Sequence, residues 1–561
     1  MKALLLRSMP SRRIVTALIL ATVLANVLAL VSSVYSIHVM NRYLGNGVDA
    51  TLLTLTIGAV IAIVAEYLLR SARLKVAEAV LGKNEADVTG SAFTTFASAR
   101  LQTLEQLPAP QRREALGGLT SIQQFLTAGN LATVLDAPFA LLFLAVLALL
   151  SPTLALISTI AIATLCTVII FGQRSIREPT AQLSKLSARS GSLTNFLATS
   201  GETVRAFNCY DHLQRQWHES TGAVARVRQW LHARQNSIQQ IGQSGGTVLS
   251  VAVYAIGARE VVHGHLDTGG LIGASILSAR ALAAVTRLAH LTEGFERARQ
   301  ALHHLSQLGR LPTEKQKGIV PVDIAGEIDI GDVALSYAGR PTPLFESVNA
   351  KVRAGGVLAV VGGNGSGKSS LLRLLAGLTE PDRGHIRVDN TDLRHVVPEW
   401  WRKQIIYLPQ EPQFFDGTLK ENLKVLSPQL ADDALIDLCR SLDLAGFLNQ
   451  STEGLDMQIR NGGASLPVGV RRRLALVRAL AGGGRIAILD EPTEGVDARG
   501  CQAIAQTLNN LVKRGCTVFV ATREDFIIKA AEAVLDLNVK PVPQLVTARP
   551  EARKGHLGAV A

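Results

Sequence analysis

The sequence predicts a protein of two unlike parts: an all-α transmembrane domain of six helices, followed by an α/β phosphate-loop domain. Three observations carry this. Long apolar runs fill the first half of the chain. From Glu327 onward, short β-branched runs alternate with helical stretches, as in an α/β domain. A strand-like VLAVV then leads straight into GGNGSGKSS, a glycine-rich turn of the kind that cradles phosphate.

Composition agrees. Of 561 residues, 48% are hydrophobic and only 18% charged, which is lean in charge for a soluble protein. The net charge of +12 suggests nucleic acid or an anionic membrane surface as partner. Lysine and arginine lie between the apolar runs and are not gathered with aromatics. This favours membrane lipid and no nucleic acid. Cys166, Cys209, Cys439, Cys501 and Cys516 are scattered without CxxC spacing, which argues against zinc and against a disulfide framework.

A helical span of the bilayer takes about 20 apolar residues. Runs at 14–39, 52–69, 131–150 and 154–171 qualify clearly. Glycine and polar residues interrupt two further runs, at 238–262 and 271–291. A pore-lining face or a partly cytosolic helix would each account for the interruptions. Lys2, Arg7, Arg12 and Arg13 precede the first run, but it is too long for a signal sequence and reads as a retained helix. The connections at 41–51, 151–153 and 263–270 are short, whereas those at 70–130 and 172–237 are long and basic. The positive-inside bias places the long ones and both termini in the cytoplasm, as extensions of the membrane helices. Glu66 and His38 lie near span ends, where reaching the interface is easy. The domain expectation is a transmembrane domain at 1–307, a polar linker at 308–326, a nucleotide-binding domain at 327–546 and a basic, disordered tail at 547–561.

The phosphate turn fits G-x-x-x-x-G-K-[ST] through Gly362, Gly367, Lys368 and Ser369. Glycines let backbone N–H groups face phosphate oxygens, and the following helix points its positive end at the same anion. Gly362, Gly363, Asn364, Gly365, Ser366, Gly367, Lys368, Ser369 and Ser370 are therefore the candidate ATP cradle. Lys368 neutralises the β and γ charges, and Ser369 offers a hydroxyl to Mg²⁺. A second strand, RIAIL, ends in Asp490 and Glu491. Asp490 is the candidate magnesium ligand and Glu491 the candidate base for an attacking water, both ionised at their reference pKa values.

These residues resemble the nucleotide-binding domain of ATP-binding cassette (ABC) transporters over roughly 327–537. The resemblance implies that Tyr337 stacks on adenine and that Gln410 reaches the metal and the attacking water. It further implies that Asp497 bridges two such domains. DGTLKENL is typical of exporters, and SGETVRAF (200–207) looks like their second coupling region. DAPFALLFLAVLALLSP (136–152) is similar to the third span of type I secretion exporters, nearest to the RTX-protease subgroup that lacks an N-terminal peptidase-like domain. The implied protein is a half-transporter of the bacterial inner (cytoplasmic) membrane, multi-pass, with its nucleotide-binding domain cytoplasmic. It works as a homodimer or as a heterodimer with a second half-transporter, and the type I resemblance adds a periplasmic adaptor and an outer-membrane channel. Export of lipid, glycan or small molecules, and a regulatory subunit paired with a catalytic partner, are the alternatives.

Two places depart from the family pattern. Where the signature LSGGQ belongs, this chain has Leu466, Pro467, Val468, Gly469 and Val470. The serine hydroxyl aimed at the partner's γ-phosphate is gone, while Gly469 survives. Where a histidine follows a strand and threonine, Arg523 stands instead. Arginine is longer and permanently charged, so it suits a phosphate clamp better than a proton shuttle. ATP binding with reduced hydrolysis is the expectation.

Overall fold

The structure is a computed structural model. It describes residues 12–44, 48–107, 109–308, 311–315, 317–337 and 342–547. The chain divides into two units, one comprising 1–97 and 107–311, the other 98–106 and 312–561.

The first unit is helical, with six helices long and apolar enough to cross a membrane among its described residues: Arg13–Tyr43, Asp49–Gly82, Ala128–Leu150, Pro152–Thr199, Tyr210–Val262 and Thr268–Gln307. All six expected spans are found, the two interrupted ones included. The second continues unbroken to Ala97 and the fifth starts at Tyr210, so both run well beyond a bilayer's thickness. Large apolar side chains such as Leu53, Ile61, Leu149, Val248 and Val251 are exposed, as a lipid-facing surface requires.

Glycines in the interrupted spans mark close helix approaches. A Cβ on Gly257 would come within 2.3 Å of Leu271 Cδ1, and one on Gly273 within 2.6 Å of Ile37. Small residues allow such contacts between membrane helices. Ser158 and Ser278 hydrogen-bond at 2.9 Å between the fourth and sixth spans, beside a core of Phe143, Leu147, Leu154, Val253 and Leu277.

Charged side chains also join the first three spans. Arg73, whose side chain is 4% exposed, makes a two-pronged contact with Asp136 at 2.6 and 3.1 Å. Arg73 also donates to Thr22 at 3.2 Å, and Asn26 donates to Asp136 at 2.9 Å. Glu66 pairs with Arg70 at 2.8 Å.

The second unit is α/β. A six-stranded sheet has the order β12-β11-β3-β10-β9-β6, with β3 at Val357–Val361, β6 at Ile405–Leu408, β9 at Ile486–Asp490, β10 at Thr517–Ala521, β11 at Ala533–Asp536 and β12 at Gln544–Thr547. All its pairings are parallel except that of the edge strand β12. The inner strands β9 and β10 are buried at every residue, which is why they read as unbroken apolar runs rather than alternating ones. An antiparallel sheet of order β2-β1-β4-β5 uses β1 at Ile328–Leu335, β2 at Phe345–Val352, β4 at Arg383–Val388 and β5 at Thr391–Asp392. A short ribbon pairs β7 (Gly417–Thr418) with β8 (Gln458–Ile459).

Two expectations change here. The stretch expected as a linker packs onto this unit instead: Ile319 bridges to Val396, Ile324 is buried in the core, and Glu314 receives two hydrogen bonds from Arg402 at 2.5 and 2.9 Å. Backbone pairing at Ile319, the Glu314–Arg402 ion pair and the buried Ile324 anchor it. Ser98–Gln106, expected as part of the membrane domain, also belongs here, where Ala99 bridges to Thr313 and Arg100 meets Glu380 at 2.9 Å. Thr547 closes β12, and the tail beyond it lies outside the described residues.

Candidate nucleotide site

In a parallel sheet, ligands gather at the carboxyl ends of the strands. Here Gly362 follows β3, Gln410 follows β6, the acidic pair ends β9, and Thr522 and Arg523 follow β10. Register aligns them, since Ala521 lies opposite Val360 on one side and Asp490 on the other. Four loops therefore converge although their residues are far apart in sequence.

The turn after β3 leads into the helix Lys368–Leu375. Gly367 has φ +111°, and a Cβ there would press on Leu344 and Phe345 at 3.0 Å, so both conformation and space demand glycine. Lys368 is 7% exposed and donates to the carbonyls of Gly362 at 2.8 Å and Gly363 at 3.2 Å. Its Nζ is 3.3 Å from Glu491 Oε1. Ser369 Oγ donates to Gln410 Oε1 at 3.4 Å, and the hydroxyls of Tyr337 and Ser370 are 2.9 Å apart. A cavity of about 440 Å³ is lined by Tyr337, Leu344, residues 363–370, Gln410 and Glu491. That size suits a small-molecule ligand.

Asp490 is 3% exposed, and its Oδ1 has no hydrogen-bond partner. Burial raises its carboxyl above the ordinary value; the Ser369 hydroxyl opposes this, neighbouring Glu491 adds to it, and Lys368 and Arg373 oppose it. A buried carboxylate oxygen left open, beside a hydroxyl and an amide oxygen, is a hard donor set that fits Mg²⁺. Among the described residues no cluster of three or more His, Cys, Asp or Glu could hold a metal by itself. Magnesium needs none when phosphates and waters complete its shell.

Glu491 has φ +45°, a left-handed conformation uncommon for a side-chain-bearing residue and typical of functional positions. Arg523 Nε lies 3.9 Å from Glu491 Oε1, and its other end donates to the side chain of Asn364. The residue standing in the histidine position thus reaches both the phosphate turn and the acidic pair.

Gly469 does not join this cavity. It is the second residue of the helix Val468–Ala481, capped by Pro467, and a Cβ there would meet the Gly495 carbonyl at 2.8 Å. Val468 is 52% exposed and lines a separate cavity of about 500 Å³ with Gln410, Arg471, Arg472 and Glu494. Asp497 caps the helix Ala498–Lys513 by accepting from Gly500 N at 3.1 Å.

Three supporting residues escaped the sequence reading. Asn538 Oδ1 accepts from Gly363 N at 2.8 Å, and Lys540 donates to the Ser366 carbonyl at 2.8 Å. Both sit in the loop between β11 and β12 and carry no motif. Arg472, 5% exposed, donates to the Gln410 carbonyl at 2.7 Å and to Glu494 Oε2 at 3.0 Å. The basic run after the signature was its only signal.

Two family models match: ABC transporter at residues 345–494, and ABC transporter transmembrane region at residues 15–284. The chain belongs to the ABC transporter family. It is an exporter-type half-transporter, with one helical membrane domain and one ATPase domain. Curated relatives of this ABC exporter include the alpha-hemolysin translocation ATP-binding protein HlyB of Escherichia coli O157:H7. It is 27% identical over 521 residues, which cover 91% of this chain and 73% of HlyB. The leukotoxin translocation ATP-binding protein LktB of Mannheimia haemolytica is 26% identical over 532 residues, covering 93% and 74% respectively. Among solved structures, a bacterial Atm1-family ABC exporter with ATP bound superposes with a TM-score of 0.83 at 19% identity, over 97% of this chain and 98% of that one. At that identity the likeness is one of fold. The six apolar helices and these relatives make this transporter a multi-pass inner-membrane protein with a cytoplasmic ATPase domain.

Proposed function

We propose that this chain is the ATP-driven subunit of a type I protein secretion system and moves a polypeptide out of the cytoplasm. The observation that carries the substrate class is its alignment, over nine-tenths of its length, with toxin translocation ATP-binding proteins. In this reading it pairs with a second copy or a second half-transporter, and works with a periplasmic adaptor and an outer-membrane channel.

The phosphates of ATP lie along the backbone of 363–368, and Lys368 turns from the Gly362 and Gly363 carbonyls toward them. Tyr337 lies at the adenine end. Ser369, Gln410 and Asp490 would hold magnesium, which would neutralise phosphate charge when bound. Glu491 orients and deprotonates the attacking water, and Arg523 contacts the γ-phosphate from its position beside Asn364. Gly469 and the start of its helix face the ATP held by the partner chain, and Asp497 lies at the same junction.

Replacing Glu491 with glutamine is expected to leave Mg–ATP binding intact and to slow hydrolysis by about 10²- to 10⁴-fold. ATP hydrolysis and equilibrium nucleotide binding, measured on the full chain in lipid nanodiscs, check this. A second reading rests on Pro467, Val468 and Arg523: a low-turnover subunit whose partner carries the complete signature. In that case the Glu491→Gln substitution changes an already slow rate little, and the partner co-purifies. An exporter of lipid, glycan or small molecules would instead show turnover stimulated by those compounds and not by polypeptide.

A further inference from the structure

The charged groups of the membrane domain do not cancel. Arg73 is matched by Asp136 and Arg70 by Glu66, but Arg280 of the sixth span has no carboxylate within 4.0 Å among the described residues. Its guanidinium is half-buried and donates a single hydrogen bond, to Ser32 Oγ of the first span at 2.9 Å. Glu66 is already committed to Arg70 at 2.8 Å.

Depth makes this unusual. Counted from Thr268 at about 1.5 Å per residue, Arg280 lies about 18 Å along its helix, well inside a hydrocarbon core about 30 Å thick. Arginine is rare at such depth and marks a pathway or a partner when it occurs. Ser33, next to Ser32 and 3% exposed, also has a hydroxyl without a partner. Arg287 lies on the same helix face, about two turns toward the cytoplasmic end, and is exposed.

We propose that Arg280, held by Ser32, is an intramembrane recognition point for carboxylate side chains of the transported polypeptide. The guanidinium fork matches a carboxylate with two parallel N–H···O contacts, and only some of its donors are used by Ser32. About 10 Å separates the Cα atoms of Arg280 and Arg287 along the helix, close to three residues of extended chain. An acidic, extended segment can therefore pass from Arg287 to Arg280 as it enters. This rests on the polypeptide-export reading given above, and it adds what that reading lacks, a feature of the cargo.

The test uses the full chain in zwitterionic nanodiscs and a fluorescein-labelled peptide about 18 residues long, of glycine and serine with aspartate at every third position. The probe is compared with its asparagine counterpart by fluorescence anisotropy, and Mg–ATP binding is measured in parallel. The aspartate peptide is expected to bind about 10- to 100-fold more tightly than the asparagine peptide. Arg280→Gln removes that preference, and Arg280→Lys restores part of it. Equal affinity for the two peptides, or a preference that survives Arg280→Gln, overturns the assignment. So does a preference lost while Arg280→Gln weakens retention of phosphatidylglycerol in mixed-lipid discs, which would give the residue to lipid. Failure to bind Mg–ATP with the peptide preference intact would sink the export reading and leave the site standing.

Discussion

Replacing Asp136 with alanine is expected to destabilise the membrane domain by about 3–5 kcal/mol, the cost of leaving a buried charge without its partner. Arg73 is the charge left behind. Its side chain is 4% exposed, and its remaining polar contact would be the Thr22 hydroxyl at 3.2 Å. Asn26 would lose its acceptor in the same step. Three spans meet at this carboxylate, so the loss spreads beyond one helix. A double replacement, Arg73→Met with Asp136→Leu, removes both charges and should recover most of the stability, since an apolar pair of similar volume can substitute for a buried ion pair. Thermal unfolding of the three proteins in nanodiscs measures the difference. A single variant as stable as its parent would mean that the pair is not desolvated in the membrane.

Restoring the signature, Pro467→Ser with Val468→Gly, is expected to raise ATP turnover by about 10- to 100-fold. A hydrogen bond to a charged group contributes roughly 1.5–3 kcal/mol, which is one to two decades in rate. The present residues offer no such contact: Pro467 caps its helix without a side-chain hydrogen bond, and Val468 presents a stiff apolar side chain to a cavity lined mostly by polar residues. Because Val468 is 52% exposed, its removal leaves no hole in the core. Unchanged thermal stability with faster hydrolysis is the expected pair of results. A turnover already brisk in the parent and unaffected by the double replacement would show that Arg523 and backbone amides suffice.

Chemistry written locally was legible in the sequence. The glycine spacing around Lys368 reads directly, because only those residues permit the turn and supply the charge. Strands β3, β9 and β10 read because buried parallel strands are unbroken apolar runs, and the membrane spans read from length and hydropathy. Contacts across the fold did not read. Hydropathy tells that a helix is apolar and not which way it faces, so the pairing of Arg73 with Asp136 was invisible. The same blindness made Gly257 and Gly273 look like interruptions, when they are points where another helix packs closely. Asn538 and Lys540 act on the phosphate turn from a loop that parallel pairing of β3 with β11 brings alongside. The packed stretch before Glu327 was read from its prolines and charges, although the burial of Ile324, the backbone bridge at Ile319 and the Glu314–Arg402 pair hold it.

Titration of Mg–ATP into the full chain in nanodiscs, alongside Lys368→Ala, tests most directly whether the strand-end cluster is a nucleotide site that powers this transporter. Saturable binding by the parent is expected, weakened at least about 100-fold in the variant, the loss that two charge-assisted contacts from the ammonium to phosphate would give. A parent chain that binds no nucleotide, or a variant that binds as tightly as the parent, would contradict it.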